Sequence, residues 1–314
     1  MLSTAASRAG TQGLRQRFAG LARNGFYRMA EGLPMSSLGI GTSLGGAHDE
    51  TCRGEPARDE LVEATKAGYR TPPSPPAGML EPGDVVARTH CLRPAFLKDQ
   101  RHRSLPNLRW RRVGIFYLHH PETQLPVLAE PKVYRRVGEA FAACEAMVAA
   151  GLVSCYGIAT WRGLRQRPGG PPGLELSRLA ELARQAGGER HGFRFVQLPC
   201  HLAMPEAIAV RNQGGDRRAL VSVVEAAHAL GISVNPSASL RQGRVRRDLP
   251  ERFLKKFSNA LPTQAQRAIP FARSRPGITT ALVGRNKAER VIETMAAAKG
   301  KPFSPAAYSS FFGS

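Results

Sequence analysis

The strongest constraint on the fold of this chain is a repeated grammar. Short apolar runs that do not alternate with polar residues are followed by segments of helical periodicity. The runs are Ser37–Thr42, Glu60–Thr65, Val113–Leu118, Val153–Ile158, Phe193–Leu198, Ile232–Asn235 and Thr279–Val283. Lack of alternation suits parallel strands covered on both faces. Between them, Val133–Ala150 sets Val133, Val137, Phe141, Cys144, Met147 and Val148 on one helical stripe. Leu176–Gln185 and Leu220–Ala229 read as helices, and so does Arg285–Ala298, with Val291, Ile292 and Met295 inward. Strand, loop, helix, strand is parallel α/β grammar, closing as a barrel or opening as a sheet.

Two stretches interrupt the pattern. Gly45–Ala57 is short, polar and rich in Gly and Pro, and the proline-rich Tyr69–Gly83 reads as an irregular solvent-facing loop. No apolar run approaches the roughly 20 residues of a membrane helix. Residues 1–32 carry Arg without a long apolar stretch, which argues against a secretory signal and reads as a loosely ordered arm. The expected organisation is this arm, a barrel over 33–300 and a tail over 301–314.

Charge and cysteine bound the setting. The net charge is +21, with 45 basic side chains, of which only 8 are Lys. The Arg are scattered rather than blocked, and no aromatic–basic interleaving accompanies them, so a nucleic-acid partner is the weaker reading of the charge. The five Cys form no CxxC pair, which suits reduced thiols in a cytoplasmic setting and no metal site.

The strand ends carry a resemblance. SLGIGTSLGG from Ser37, ATKAGY from Ala64, YLHHPETQLP from Tyr117, GLVSCYGIATWRGLR from Gly151, VQLPCHLAMPEA from Val196, SASLRQGR from Ser237 and TTALVGRNKAERVIE from Thr279 together resemble the aldo-keto reductase family, in that family's order. The resemblance implies a (β/α)8 TIM-type barrel with its site at the carboxyl ends of the strands. It also implies NADP(H) as cofactor, a small-molecule carbonyl substrate and a catalytic Asp, Tyr, Lys and His.

Lys66 matches the family Lys, and a cation there lowers the pKa of a neighbouring phenol. His119 matches the family His, whose hydrogen bond meets the developing negative charge on the substrate oxygen. His120 follows it, and strand alternation turns its ring to the other face.

The family Asp and Tyr have no counterpart. They stand with four residues between them, and no such Asp–Tyr spacing occurs in the chain. Only twelve residues separate Gly46 from Asp59, too few for the missing helix and strand. The expected barrel is therefore incomplete by about one strand and one to two helices. Loss of a positioned proton donor typically costs 10²–10⁴ in rate. His119 is one substitute, because imidazole titrates near neutrality, and Tyr69 is another. A missing strand also leaves two unpaired edges. Asp84–Cys91 is a candidate to fill the gap, which would bring His90 to the barrel mouth.

On the cofactor side, the resemblance assigns Ser237, Ser239, Leu240 and Gly243 to the loop after the seventh strand. It assigns Gly284, Arg285, Asn286 and Lys287 to the loop after the eighth. These loops and the following helix start suit phosphate. Arg285, Lys287 or Arg290 would meet a 2′-phosphate, favouring NADP over NAD. Gln197 matches the residue that binds the carboxamide, and Thr160 keeps one polar group of the family's Ser-Asn pair, Ala159 keeping none. Ser237 stands where an aromatic usually stacks, and Glu293 matches the adenine-side Glu. Three functions stay open: a reductase, a non-catalytic NADP-binding relic or regulator, and an Arg-rich nucleic-acid-binding protein.

Overall fold

The computed structural model describes residues 6–22, 26–41, 58–71, 75–108, 110–201, 204–215, 219–237, 264–274, 277–284, 292, 294–297, 302–304 and 307–308. The principal elements, in chain order, are α1 (Arg8–Arg17), β1 (Tyr27–Ala30), β2 (Leu33–Ser36), β3 (Leu38–Gly41), β4 (Ala64–Ala67), α2 (Pro94–Leu108), β5 (Val113–His119), α3 (Glu130–Ala149), β6 (Val153–Ala159), α4 (Leu176–Gly187), β7 (Phe193–Pro199), α5 (Val223–Ala229), β8 (Ser233–Ser237), α6 (Gln264–Ser274) and β9 (Ala281–Gly284). They fall into two compact units. One draws on Leu61–Gln197 and Val210–Ile232, the other on Ser7–Glu60, Leu198–Ala209 and Ser233–Ser314.

The first unit is built on the parallel strands β4, β5, β6 and β7, adjacent in that order. Residues 113–118 of β5 are all buried, and β6 and β7 are buried at all but one position. Strands covered on both faces need no polar alternation, which is why their sequences show none. Helix α3 buries Val133, Val137, Phe141, Cys144 and Met147, as its stripe predicts, while Val148 stays half-exposed. Phe141 packs on Tyr156 and Phe193 with ring centroids 5.1 and 5.0 Å away. Gly157 permits the close pairing of β6 with β7, because a Cβ there would stand 2.1 Å from the Phe195 carbonyl oxygen.

Two elements depart from expectation. The run Glu60–Thr65 is not the strand; Arg58–Glu60 forms a 3-10 turn and β4 begins at Ala64. Pairing starts late because Glu63 already anchors β5: its carbonyl accepts from Ile115 N at 3.0 Å and its carboxylate from Gly114 N at 2.6 Å. Helix α5 starts at Val223 rather than Leu220, since Ser222 and Glu225 form a reciprocal capping box. Leu220–Val221 instead pairs with Gln213–Gly214.

In the second unit, β1 and β2 form an antiparallel hairpin turning through Glu31 and Gly32, both at positive φ. β3 pairs in parallel with β9, and Val234 of β8 bridges in parallel to Ile278. Phe26, Leu38, Ile269, Ala272, Ala281, Val283 and Ala297 make its core. The segment read as a loosely ordered arm carries α1, where the Ser7 hydroxyl accepts from Gly10 N at 2.9 Å.

Among the described residues, β4 is paired on one side only, by β5, and β3 on one side only, by β9. These are the two strands that border the stretch read as shortened. Residues 42–57, where the shortening was read, lie outside the described residues. Asp84–Cys91 does not supply a strand; it is a series of turns with isolated bridges from His90 to Tyr69 and Val86. Ala87 and Arg88, both at positive φ, break any extended run there. No helix among the described residues is long and apolar enough to cross a membrane.

Candidate functional site

The carboxyl ends of β4 and β5 converge on a cluster of polar and aromatic side chains in the first unit. Lys66 sits beside Tyr117 in the ladder. Its side chain reaches solvent, yet protein atoms crowd around it and displace enough water to push the ammonium pKa below its ordinary value. No described residue gives it a hydrogen bond or ion pair.

Gly68 then lets the chain turn tightly. Its φ is +153°, and a Cβ there would lie 2.5 Å from the His119 carbonyl oxygen and 3.2 Å from His90 Nε2. The Gly68 carbonyl accepts from Cys91 N at 2.7 Å, which brings the Asp84–Cys91 turns alongside. His90 is fully buried. The strand expected to carry it is absent, but the approach to the site is present.

His119 ends β5, and His120 leaves the strand with φ at +51°. Alternation fails at that residue because the left-handed conformation rotates the ring back. The His119 and His120 rings lie side by side, with centroids 4.2 Å apart. The signal was Pro121, which cannot continue the ladder and so ends the strand. Tyr69 meets His90, His119 and His120 edge-on, at 5.1, 5.2 and 5.9 Å between centroids, and its hydroxyl is 3.0 Å from Thr123 Oγ1.

Electrostatics separates the two sides of the cluster. Burial, followed by the charges of His120 and Lys66, lowers the His119 pKa to about 3. At neutral pH its ring is neutral and offers an N–H hydrogen bond, not an acid proton; the expected imidazolium role therefore does not suit His119. Glu122 moves the other way from what burial alone would do. Burial raises its pKa, but the hydrogen bond and charge of His120, the Thr160 hydroxyl and a backbone amide outweigh burial and hold it at about 2. Glu122 Oε1 accepts from Trp161 N at 2.7 Å and Arg162 N at 3.1 Å, with His120 Nδ1 at 3.2 Å. Neither Glu122 nor Thr123 stood out in the sequence, because Glu122 answers backbone amides that follow the neighbouring strand and Thr123 meets the Tyr69 hydroxyl. An open pocket of about 330 Å³ is lined by Tyr69, His120, Glu122, Thr123, Trp161 and Arg162.

The cofactor residues are described only in part. Gln197 is buried near the carboxyl end of β7, and its carbonyl accepts from Thr160 N at 2.8 Å. Its side-chain amide bonds no described residue, which fits a group that receives a carboxamide. Thr160 is buried, and its hydroxyl accepts from Gly163 N at 2.9 Å. Ser237 ends β8 and Gly284 ends β9, both in the second unit. Ser239, Leu240, Gly243, Arg285, Asn286, Lys287, Arg290 and Glu293 lie outside the described residues. No group of His, Cys, Asp and Glu among the described residues could hold a metal.

Comparison with known proteins agrees with this geometry. Residues 40–166 match the aldo/keto reductase family. No curated protein matches the sequence. Among solved structures, an aldo-keto reductase from Bacillus halodurans in its holo form is similar at a TM-score of 0.58 and 16% identity, over 91% of this chain and 95% of that one. An aldo/keto reductase from Klebsiella pneumoniae in complex with NADP and acetate gives 0.57 and 18%, over 90% and 93%. The thermostable aldo-keto reductase Tm1743, bound to the inhibitor epalrestat, gives 0.59 and 14%, over 91% and 98%. At such identities the likeness speaks for the fold, and the family match speaks for the segment holding Lys66, His119 and Glu122. Residues 40–166 of this chain match the aldo/keto reductase family model, and the chain carries the α/β, TIM-type barrel fold of these solved structures.

Proposed function

We propose that this chain reduces a small carbonyl compound with NADPH, at the carboxyl ends of β4 and β5. The observation that carries the reading is a neutral His119 beside the positive charge of Lys66, next to an open pocket. A neutral imidazole N–H donates to a carbonyl oxygen without surrendering a proton, and the gain grows as negative charge develops there. Lys66 adds a positive potential that favours the same charge. Gln197, with an unengaged amide near the end of its strand, would take the carboxamide of the nicotinamide. NADPH, when bound, supplies the hydride. None of the four described cysteines, all buried, forms a disulfide, which supports a reducing, cytoplasmic setting.

A second reading, a non-catalytic NADP-binding relic, is favoured by the absence of the family's Asp–Tyr spacing. Two measurements separate them. A titration of NADPH fluorescence should saturate below millimolar cofactor for either reading. NADPH oxidation with a panel of aldehydes should proceed, and should be abolished by His119→Ala, only for the reductase. Binding without oxidation of NADPH by any aldehyde would leave the relic.

A further inference from the structure

The sequence lacks the family's proton donor, and the structure makes His119 unsuitable as a replacement. We propose that His120, held by Glu122, is the proton donor of this site; the proposal rests on the reductase reading above.

His120 Nδ1 lies 3.2 Å from Glu122 Oε1, and that oxygen is fixed by the Trp161 and Arg162 amides. The carboxylate accepts only, so Nδ1 carries the proton between them. This fixes the ring orientation and leaves Nε2 as its one nitrogen without a described partner. The ring itself lines the open pocket, with its side chain 21% exposed against 12% for Glu122. A carboxylate bonded behind an imidazole fixes its tautomer and orientation, so that the far nitrogen is the one left to meet a substrate. His119, only 4.2 Å away, has no such carboxylate bonded to its ring and faces the charge of Lys66. The other charged or titratable groups facing His120 are Tyr69, His90 and Arg162. Tyr69 competes for the role, but its hydroxyl is engaged with Thr123.

The step balances simply. The carbonyl carbon gains the hydride, the π electrons move to oxygen, and oxygen takes the Nε2 proton. The carbonyl is reduced to an alcohol, NADPH is oxidised to NADP⁺, and His120 is left neutral. Solvent in the open pocket reprotonates it.

The test combines a structural readout with turnover, on the full chain. Histidine ¹⁵N NMR, with the His120 signals identified by their loss in His120→Asn, reports the tautomer. Asn suits the left-handed backbone at this position. The neutral ring of His120 should carry its proton on Nδ1, and Glu122→Gln should move the population toward Nε2–H. A dominant Nε2–H tautomer in the wild type overturns the proposal. With NADPH and 4-nitrobenzaldehyde as probes, His120→Asn should lower kcat by roughly 100-fold or more while the NADPH fluorescence titration stays unchanged. Retention of most of the rate in His120→Asn, or a larger loss in Tyr69→Phe, overturns the assignment of His120 alone. A wild type that binds or consumes no NADPH overturns the reductase reading, and the donor role with it.

Discussion

Nε2 of His90 donates to the backbone carbonyl of His119 at 2.7 Å, from a position with no solvent exposure. A carbonyl only accepts, so the tautomer is fixed, and Nδ1 of His90 accepts from Gln124 Nε2 at 3.2 Å. Arg136 continues the chain, donating to Gln124 Oε1 at 3.3 Å and to the Gly83 carbonyl at 2.7 Å. A relay, buried at His90 and Gln124, thus runs from α3 to the strand end that presents His119.

His90→Ala should therefore destabilise the protein by about 2–4 kcal/mol. It empties a buried site and strands the Gln124 amide and the His119 carbonyl. Urea unfolding checks this, and a change under about 0.5 kcal/mol would show that the relay contributes nothing.

Gly68→Ala should cost at least about 2 kcal/mol, because the new Cβ meets the His119 carbonyl oxygen at 2.5 Å on a backbone with φ at +153°. Thermal unfolding measures the loss. The substitution should also disturb the His119 NMR signals, whereas Gly151→Ala, with nothing within 4 Å of its Cβ, should leave them in place.

His119 should remain neutral through the physiological range. Its folded pKa of about 3 lies below the ordinary value of 6.5, so folding favours the neutral ring. The stability this confers is present above about pH 6.5 and is lost as pH falls toward 3. Histidine NMR should show no inflection for His119 between pH 5 and 8. An inflection near 6.5 would remove the basis for treating it as a neutral donor.

Glu63 should give the opposite slope. Burial, against bonds from backbone amides and the charge of Arg112, raises its pKa from 4.5 to about 7. The folded state holds the proton more tightly, so stability falls as pH rises through that window, by up to about 3 kcal/mol. Glu63→Gln should therefore stabilise the protein at pH 8 more than at pH 5. Equal effects at the two pH values, in paired urea curves, would contradict the shift.

Much of the sheet was legible in the residues. Val113–Leu118, Val153–Ile158 and Phe193–Leu198 are apolar at consecutive positions because both faces of these strands are covered. Helix α3 announced itself by its stripe. Misplaced boundaries arose where one polar side chain decided the start: Glu63 before β4, Ser222 before α5. Neither effect has a periodicity.

The site divides in the same way. Lys66 and His119 were singled out by short local patterns near the ends of β4 and β5, and the missing Asp–Tyr spacing is a property of the sequence alone. His120 beside His119, Glu122 under the Trp161 and Arg162 amides, and His90 beneath both were decided by tertiary structure. The physical reason is that hydrophobic patterning encodes which face of an element is buried, a local quantity. A left-handed residue at a strand end, or a carboxylate answering amides some forty residues away, gains its energy only when the strands are already side by side.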